Sequence, residues 1–140
     1  MIYQTQTLSF KAELLQAVHN LLTDTLKLAL YTSNATLDEN TTVYSATNEV
    51  SGTGYSAGGI VLTGATINTT NSVVYVDFND AVWSPAAFTA AGGLIYNVSK
   101  GNKSIAVLSF GADKIAINTF TVHMPTNSPN SALIRFTQGV

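Results

Sequence analysis

Between Leu26 and Phe136 the chain repeats one pattern: a short run of apolar and β-branched residues, closed by Gly, Pro, Asn or Ser. Ser72–Phe78 shows it best. Val74, Val76 and Phe78 fall on one side, and Val73, Tyr75 and Asp77 on the other. That is the period-two spacing of a strand. Asn79-Asp80 interrupts the run, and Ser84-Pro85 follows the only tryptophan, Trp83. Leu26–Thr32 alternates in the same way, with Leu26, Leu28 and Leu30 opposite Lys27, Ala29 and Tyr31. A long polar loop, Ser33–Thr42, and a short extended piece at Val43, Tyr44 and Ala46 come next. Further strands are expected at Ile60–Thr63, Ala65–Asn68, Leu94–Val98, Ile105–Phe110, Phe120–His123 and Ala132–Phe136. About eight short strands with a turn signal every ten or so residues predict an all-β fold. The spacing argues for an antiparallel β-sandwich or a jelly roll. Helical patterns do not recur between the strands, which argues against a βαβ fold. No repeat at a solenoid period is present.

One helix is expected. Phe10, Leu14, Leu15, Val18, Leu21 and Leu22 follow a 3.6-residue period, with Ser9 as N-cap. Glu13 near its start and His19 nearer its end suit the helix dipole, and His19 is expected on the polar face. The 140 residues therefore read as a single domain: an arm over residues 1–9, the helix over 10–23 and the sandwich over 26–137. The uncharged arm would fray unless something docks it.

Charged residues make up 10% of the chain, against a usual ~25%. Thr, Ser and Asn fill the polar positions, which favours strands and turns. The six basic residues are scattered, whereas nucleic acid requires a clustered patch. With little self-repulsion, such a surface is expected to bury part of itself against a partner or its own copies. The absence of cysteine removes disulfides, thiolate metal sites and a cysteine nucleophile. No apolar run approaches the ~18 residues of a membrane span, and MIYQTQTLSFK lacks the features of a signal peptide. The expectation is a soluble chain made in a cytoplasm, with no membrane partner.

Gly52–Gly59 (GTGYSAGG) invites comparison with a phosphate-binding loop. Such loops open a helix, however, and this one runs into the strand-like Ile60–Thr63 with no Gly-Lys-Ser/Thr after it. A turn or bulge system is the better reading. His19 and His123 have no Cys, Asp or Glu beside them at metal-ligand spacing. Asp77, Asn79 and Asp80 could together offer oxygen to calcium, but Asn-Asp at a strand end is more often turn chemistry. No pair among the eight acids stands out for glycosidase chemistry. Asn34, Asn40, Asn68, Asn97 and Asn102 begin Asn-x-Ser/Thr triplets, which chance explains in so Ser/Thr-rich a chain. Tyr31, Tyr44, Tyr55, Tyr75, Tyr96 and Trp83 could form a stacking platform, although core and cross-strand packing account for most of them. The residues yield no catalytic, cofactor-binding or metal-ligating set, and no enzyme activity or cofactor is expected.

FKAELLQAVHNLLTDTLKLALYTSNATL, YSATNEVSGTGYSAGGIVLTG, VVYVDFNDAVW and GGLIYN, taken in that order, resemble the head cement (decoration) proteins of short-tailed bacteriophages. The resemblance spans Phe10 to Phe136, and the order of the segments carries it. It implies a jelly-roll-type fold that self-associates, as a homodimer or alternatively a trimer. It also implies a place in the virion, on the outside of an icosahedral head, after synthesis in the host bacterial cytoplasm. The implied partners are the major capsid protein and further copies of the chain. Under this reading the expected partner contacts are Met1, Ile2, Tyr3, Gln4 and Thr5 of the arm, with Leu37, Asp38 and Glu39 of the polar loop. The alternative is a carbohydrate- or receptor-binding module of a phage tail, stacking sugars on tyrosines or Trp83. An enzyme such as a wall hydrolase ranks third, for want of a candidate acid pair.

Overall fold

A computed structural model describes residues 1–137. The last three residues assigned to the domain, Gln138, Gly139 and Val140, lie outside the described residues. The chain is an all-β sandwich of antiparallel sheets with one short helix near its N-terminus. In order, the elements are β1 (Thr5–Gln6), α1 (Leu8–Leu15), β2 (Leu26–Tyr31), β3 (Ile60–Val61), β4 (Thr66–Thr70), β5 (Val73–Asp77), β6 (Ala81–Trp83), β7 (Phe88–Asn97), β8 (Lys103–Ala116), β9 (Phe120–Val122) and β10 (Ile134–Phe136).

One large sheet, ordered β1-β8-β7-β2-β3, faces two small ones, β10-β5-β4 and β6-β9. The main core fills the space between them. Leu26, Leu28 and Leu30 of β2, with Phe88, Ile95, Ile105 and Leu108, meet Val76, Trp83, Phe120, Val122 and Ile134 from the small sheets, and Phe10 of α1 joins them. The alternation seen in the sequence selects this face, yet the other face of the large sheet is covered as well. Ala29, Tyr31, Leu94, Tyr96 and Val107 lie beneath Ala35, Leu37, Ile2 and Tyr44 of the loop and arm. Burial of a side chain such as Leu37 contributes about 1.5–3 kcal/mol. This offsets part of the entropy lost in ordering an otherwise polar loop. At the step between Ile95 and Tyr96 the pairing skips Ile105, so Ile105 and Val107 serve opposite faces.

The helix departs from expectation. It spans Leu8–Leu15 rather than 10–23, and its cap is Thr7, whose Oγ1 accepts from the Phe10 N–H at 3.3 Å, not Ser9. Ala17 adopts a left-handed φ of 59° and ends it. Beyond, Asn20 closes a turn: its Oδ1 accepts from the N–H groups of Leu22 and Thr23. Its own N–H donates to Asp24 Oδ2. These local hydrogen bonds, together with the inward pull on His19 described below, compete with continued helix. The cost is apolar exposure, with Leu15 91% and Leu22 54% exposed.

Strand boundaries move as well, most of all at β7 and β8, and β1 and β6 form where no strand was expected. β7 begins at Phe88 and β8 runs on to Ala116, well past the expected Leu94–Val98 and Ile105–Phe110. The arm does not fray, because Thr5 and Gln6 pair with Val107 and Ala106. The glycine stretch is the turn system expected, with positive φ at Gly52, Gly54, Gly58 and Gly59 before β3.

Candidate functional site

The arm and the polar loop, named separately from the sequence as partner contacts, form one surface. Ile2 bridges Leu37 in parallel register. The Tyr3 N–H donates to Leu37 O at 2.9 Å, and the Leu37 N–H donates to Met1 O at 3.1 Å. The Met1 amino group reaches Ala35 O at 2.8 Å, and the Leu8 N–H reaches Glu39 O at 2.8 Å. Ala35 and Leu37 point into the sheet and hold the loop down. Ile2 packs above Gly92, where a Cβ would stand 2.8 Å from Ile2 Cγ2. The chain leaving the loop is tied in turn: Ser104 Oγ donates to Thr41 O at 2.7 Å and the Ser104 N–H to Thr42 O at 2.9 Å.

The eight residues therefore divide by role. Leu37 and Ile2 anchor, Thr5 and Asp38 are half-buried, and Met1, Tyr3, Gln4 and Glu39 face outward. Tyr3 is 58% and Met1 69% exposed. Tyr3, Gln4, Thr5, Asp38, Glu39 and Asn40 line a shallow depression of about 410 Å³. Among the described residues no basic side chain pairs with Asp38 or Glu39. Such a surface can bury an aromatic ring and a thioether against a partner and meet that partner's cations or N–H donors.

Behind this surface stands a node that the sequence reading missed. Glu49 Oε1 accepts from the Tyr55 hydroxyl and the Gly58 N–H, and Oε2 from the Tyr44 hydroxyl, each at 2.6 Å. The Tyr96 hydroxyl donates to Gly58 O at 2.7 Å, and the Tyr44 and Tyr96 rings stack at 4.6 Å. One carboxylate thus ties the extended piece at Tyr44 to the glycine turn. A signal existed, since Glu49 is the one charged residue between Glu39 and Asp77.

His19 is buried instead of lying on a polar helix face. Asp24 Oδ2 accepts from Asn97 Nδ2 at 2.8 Å, which orients the amide, and the same nitrogen stands 3.0 Å from His19 Nδ1. Nδ1 must therefore accept, leaving the proton of the neutral ring on Nε2, 3.3 Å from Glu13 Oε1. Lys103 Nζ lies 2.9 Å from the other Glu13 oxygen. Burial pushes the Glu13 carboxyl up, but Lys103 and His19 outweigh it and hold the group below the usual carboxylate range. Nitrogen-15 NMR is expected to show the Nε2–H tautomer for neutral His19; an Nδ1–H signature would overturn the assignment.

The acids near β5 do not converge as a calcium site would require. Asp80 is taken up by the Met124 N–H at 2.8 Å and by His123 Nδ1 at 2.9 Å. Asp77 is 2% exposed, with Oδ1 accepting from the Phe78 N–H and Oδ2 unpaired. Among the described residues no three His, Asp or Glu side chains gather into a metal-binding group. Burial pushes the Asp77 carboxyl up, only partly opposed by the N–H groups of Phe78 and Leu133. A raised folded-state pKa means that the ionised side chain opposes folding at neutral pH. The handicap disappears as pH falls through the folded value toward ~3.9, the unfolded one. Asp77→Asn is accordingly expected to raise stability at pH 7 by about 1 kcal/mol, with the gain vanishing near pH 4. Urea unfolding across that range checks it, and a gain that persists at pH 4 would refute the cause given.

Trp83 is 3% exposed and packs among Tyr55, Phe88 and Phe120, so it offers no ring to a sugar. No helix among the described residues is long and apolar enough to cross a membrane. Comparison with family models, curated proteins and solved structures finds no match.

Proposed function

We propose that this chain is a capsid decoration protein, a jelly-roll module that binds the outside of an icosahedral phage head and bridges major capsid protein subunits. The observation that carries the reading is the arm–loop surface: two segments far apart in sequence, docked together, presenting Tyr3, Met1, Asp38 and Glu39 side by side. A surface ordered before binding loses less conformational entropy when it meets a partner. Bridging neighbouring subunits adds free energy present only in the assembled shell, which stabilises that shell by mass action. A low-charge β framework suits such a mechanical role. The tail-module alternative loses its strongest candidate with the burial of Trp83.

The test is a density map of the virion of the phage that encodes this chain, with protein quantitation of the purified particle. The expected result is a stoichiometric copy on the outer shell with the arm–loop surface against capsid. A particle without the chain in its shell would end the proposal.

A further inference from the structure

Gln4, one of the contacts assigned above, also lines a second cleft on its other side. It occupies about 350 Å³ between the distal half of β8 and the segment from β9 to Pro125. That volume is within the range of small-molecule sites. Its floor is aromatic and aliphatic. Phe110 and Phe120 lie 6.0 Å apart at 49°, and Leu108, Val122 and Leu133 complete it. The floor is held from behind, since Phe120 stands 5.1 Å from Phe88 and 6.1 Å from Trp83. An aromatic floor so backed offers edges and faces at fixed positions to an incoming ring.

The rim differs in kind from the floor. Lys114 reaches it, and among the described residues no carboxylate stands within ion-pair distance of Lys114. The nearest acid in sequence, Asp113, lines a different depression with Met1 and Ser33. Asp80 is turned to His123 and the Met124 N–H. Thr121 and Ser109 add hydroxyls along the same rim. A lysine that lines this cleft, with no ion-pair partner among the described residues, is complementary to a ligand with a ring at one end and an anion at the other.

We infer that this cleft binds a small aryl carboxylate, with the ring against Phe110 and Phe120 and the carboxylate at Lys114. Nothing in this site depends on the capsid reading, and either can fail alone. NMR titration of the full chain with 4-phenylbutyrate tests it, with 4-phenylbutanol as the uncharged comparison. The expected result is saturable shifts confined to the cleft residues, with the alcohol binding about tenfold more weakly. Lys114→Met is expected to lower carboxylate affinity by the same factor and leave the alcohol unaffected. Shifts elsewhere, no saturation, equal binding of acid and alcohol, or a K114M protein that binds the acid as before would each overturn the assignment. The acid–alcohol comparison in the unmodified protein keeps the test decisive should K114M fold poorly.

Discussion

Gly59→Ala is expected to cost more than about 3 kcal/mol, against a total stability of about 5–15 kcal/mol for a domain of this kind. Two effects add. Gly59 has a φ of +76°, where an alanine carries roughly 1–2 kcal/mol of strain. Its Cβ would also stand 1.8 Å from Leu28 O and 2.8 Å from Ala29 Cα, which are backbone atoms of the central strand β2. A side chain could swing aside, but β2 cannot, since it is paired along its whole length with β7. The chain must instead release β3, breaking the Leu28–Ile60 and Lys27–Val61 pairs. Gly101→Ala is the control. Its φ is similarly left-handed at +68°, yet nothing lies within 4 Å of the added carbon, so only the strain of about 1 kcal/mol applies. Urea unfolding followed through Trp83, the only tryptophan and a buried one, measures both. Equal losses in the two variants would show that backbone strain rather than the clash governs Gly59.

The contrast between those two glycines marks what could be read from sequence. Both stand in turn-rich stretches, and the turns themselves were legible: Gly52–Gly59 is a turn system, and β2 lies where the alternation of Leu26, Leu28 and Leu30 placed it. Local periodicity reports which face of a segment turns inward, and this sufficed for the all-β sandwich. It does not report what covers the other face. Ala29 and Tyr31, on the side of β2 opposite those leucines, are buried by Ala35 and Leu37 from the polar loop. The Ala35-x-Leu37 alternation within that loop was a faint sign of an extended, docked segment. The helix failed for a related reason. Val18, Leu21 and Leu22 keep helical spacing, but Asn97, far along the chain, holds His19 in place, and Ala17 turns the backbone to reach it. At the candidate site the two segments were named from sequence, whereas their pairing through Ile2 and Leu37 is a long-range contact with no local signature.

Glu49 carries the second large effect, and its two replacements separate charge from connectivity. Glu49→Ala takes the acceptor from the Tyr44 and Tyr55 O–H groups and the Gly58 N–H together, although the Tyr55 oxygen still accepts from the Leu30 N–H. Hydrogen bonds to charged groups contribute about 1.5–3 kcal/mol each. The hydroxyls can partly recover by bonding water, so a total loss of about 3 kcal/mol is expected. Glu49→Gln keeps an oxygen where Tyr55 and Gly58 converge and sets an amide N–H₂ against the Tyr44 oxygen, which can accept. Connectivity survives, and a loss of about 1 kcal/mol is expected. The alkaline limb of stability supplies an independent readout. Burial first, and then the hydrogen bond to Glu49, push the Tyr44 and Tyr55 hydroxyls above the usual tyrosine value. Both tyrosines stay protonated in the folded chain where the unfolded chain begins to ionise near pH 10. Above that pH the unfolded state binds fewer protons, so stability is full below pH 10 and declines as pH rises toward the folded values. Removing the carboxylate removes one cause of the raised values but leaves burial in place. Glu49→Gln should therefore unfold less steeply with alkali than the unmodified protein while being less stable at pH 7. An unchanged alkaline slope in Glu49→Gln would mean that burial sets these tyrosines, and that Glu49 joins Tyr44 to the glycine turn without tuning them.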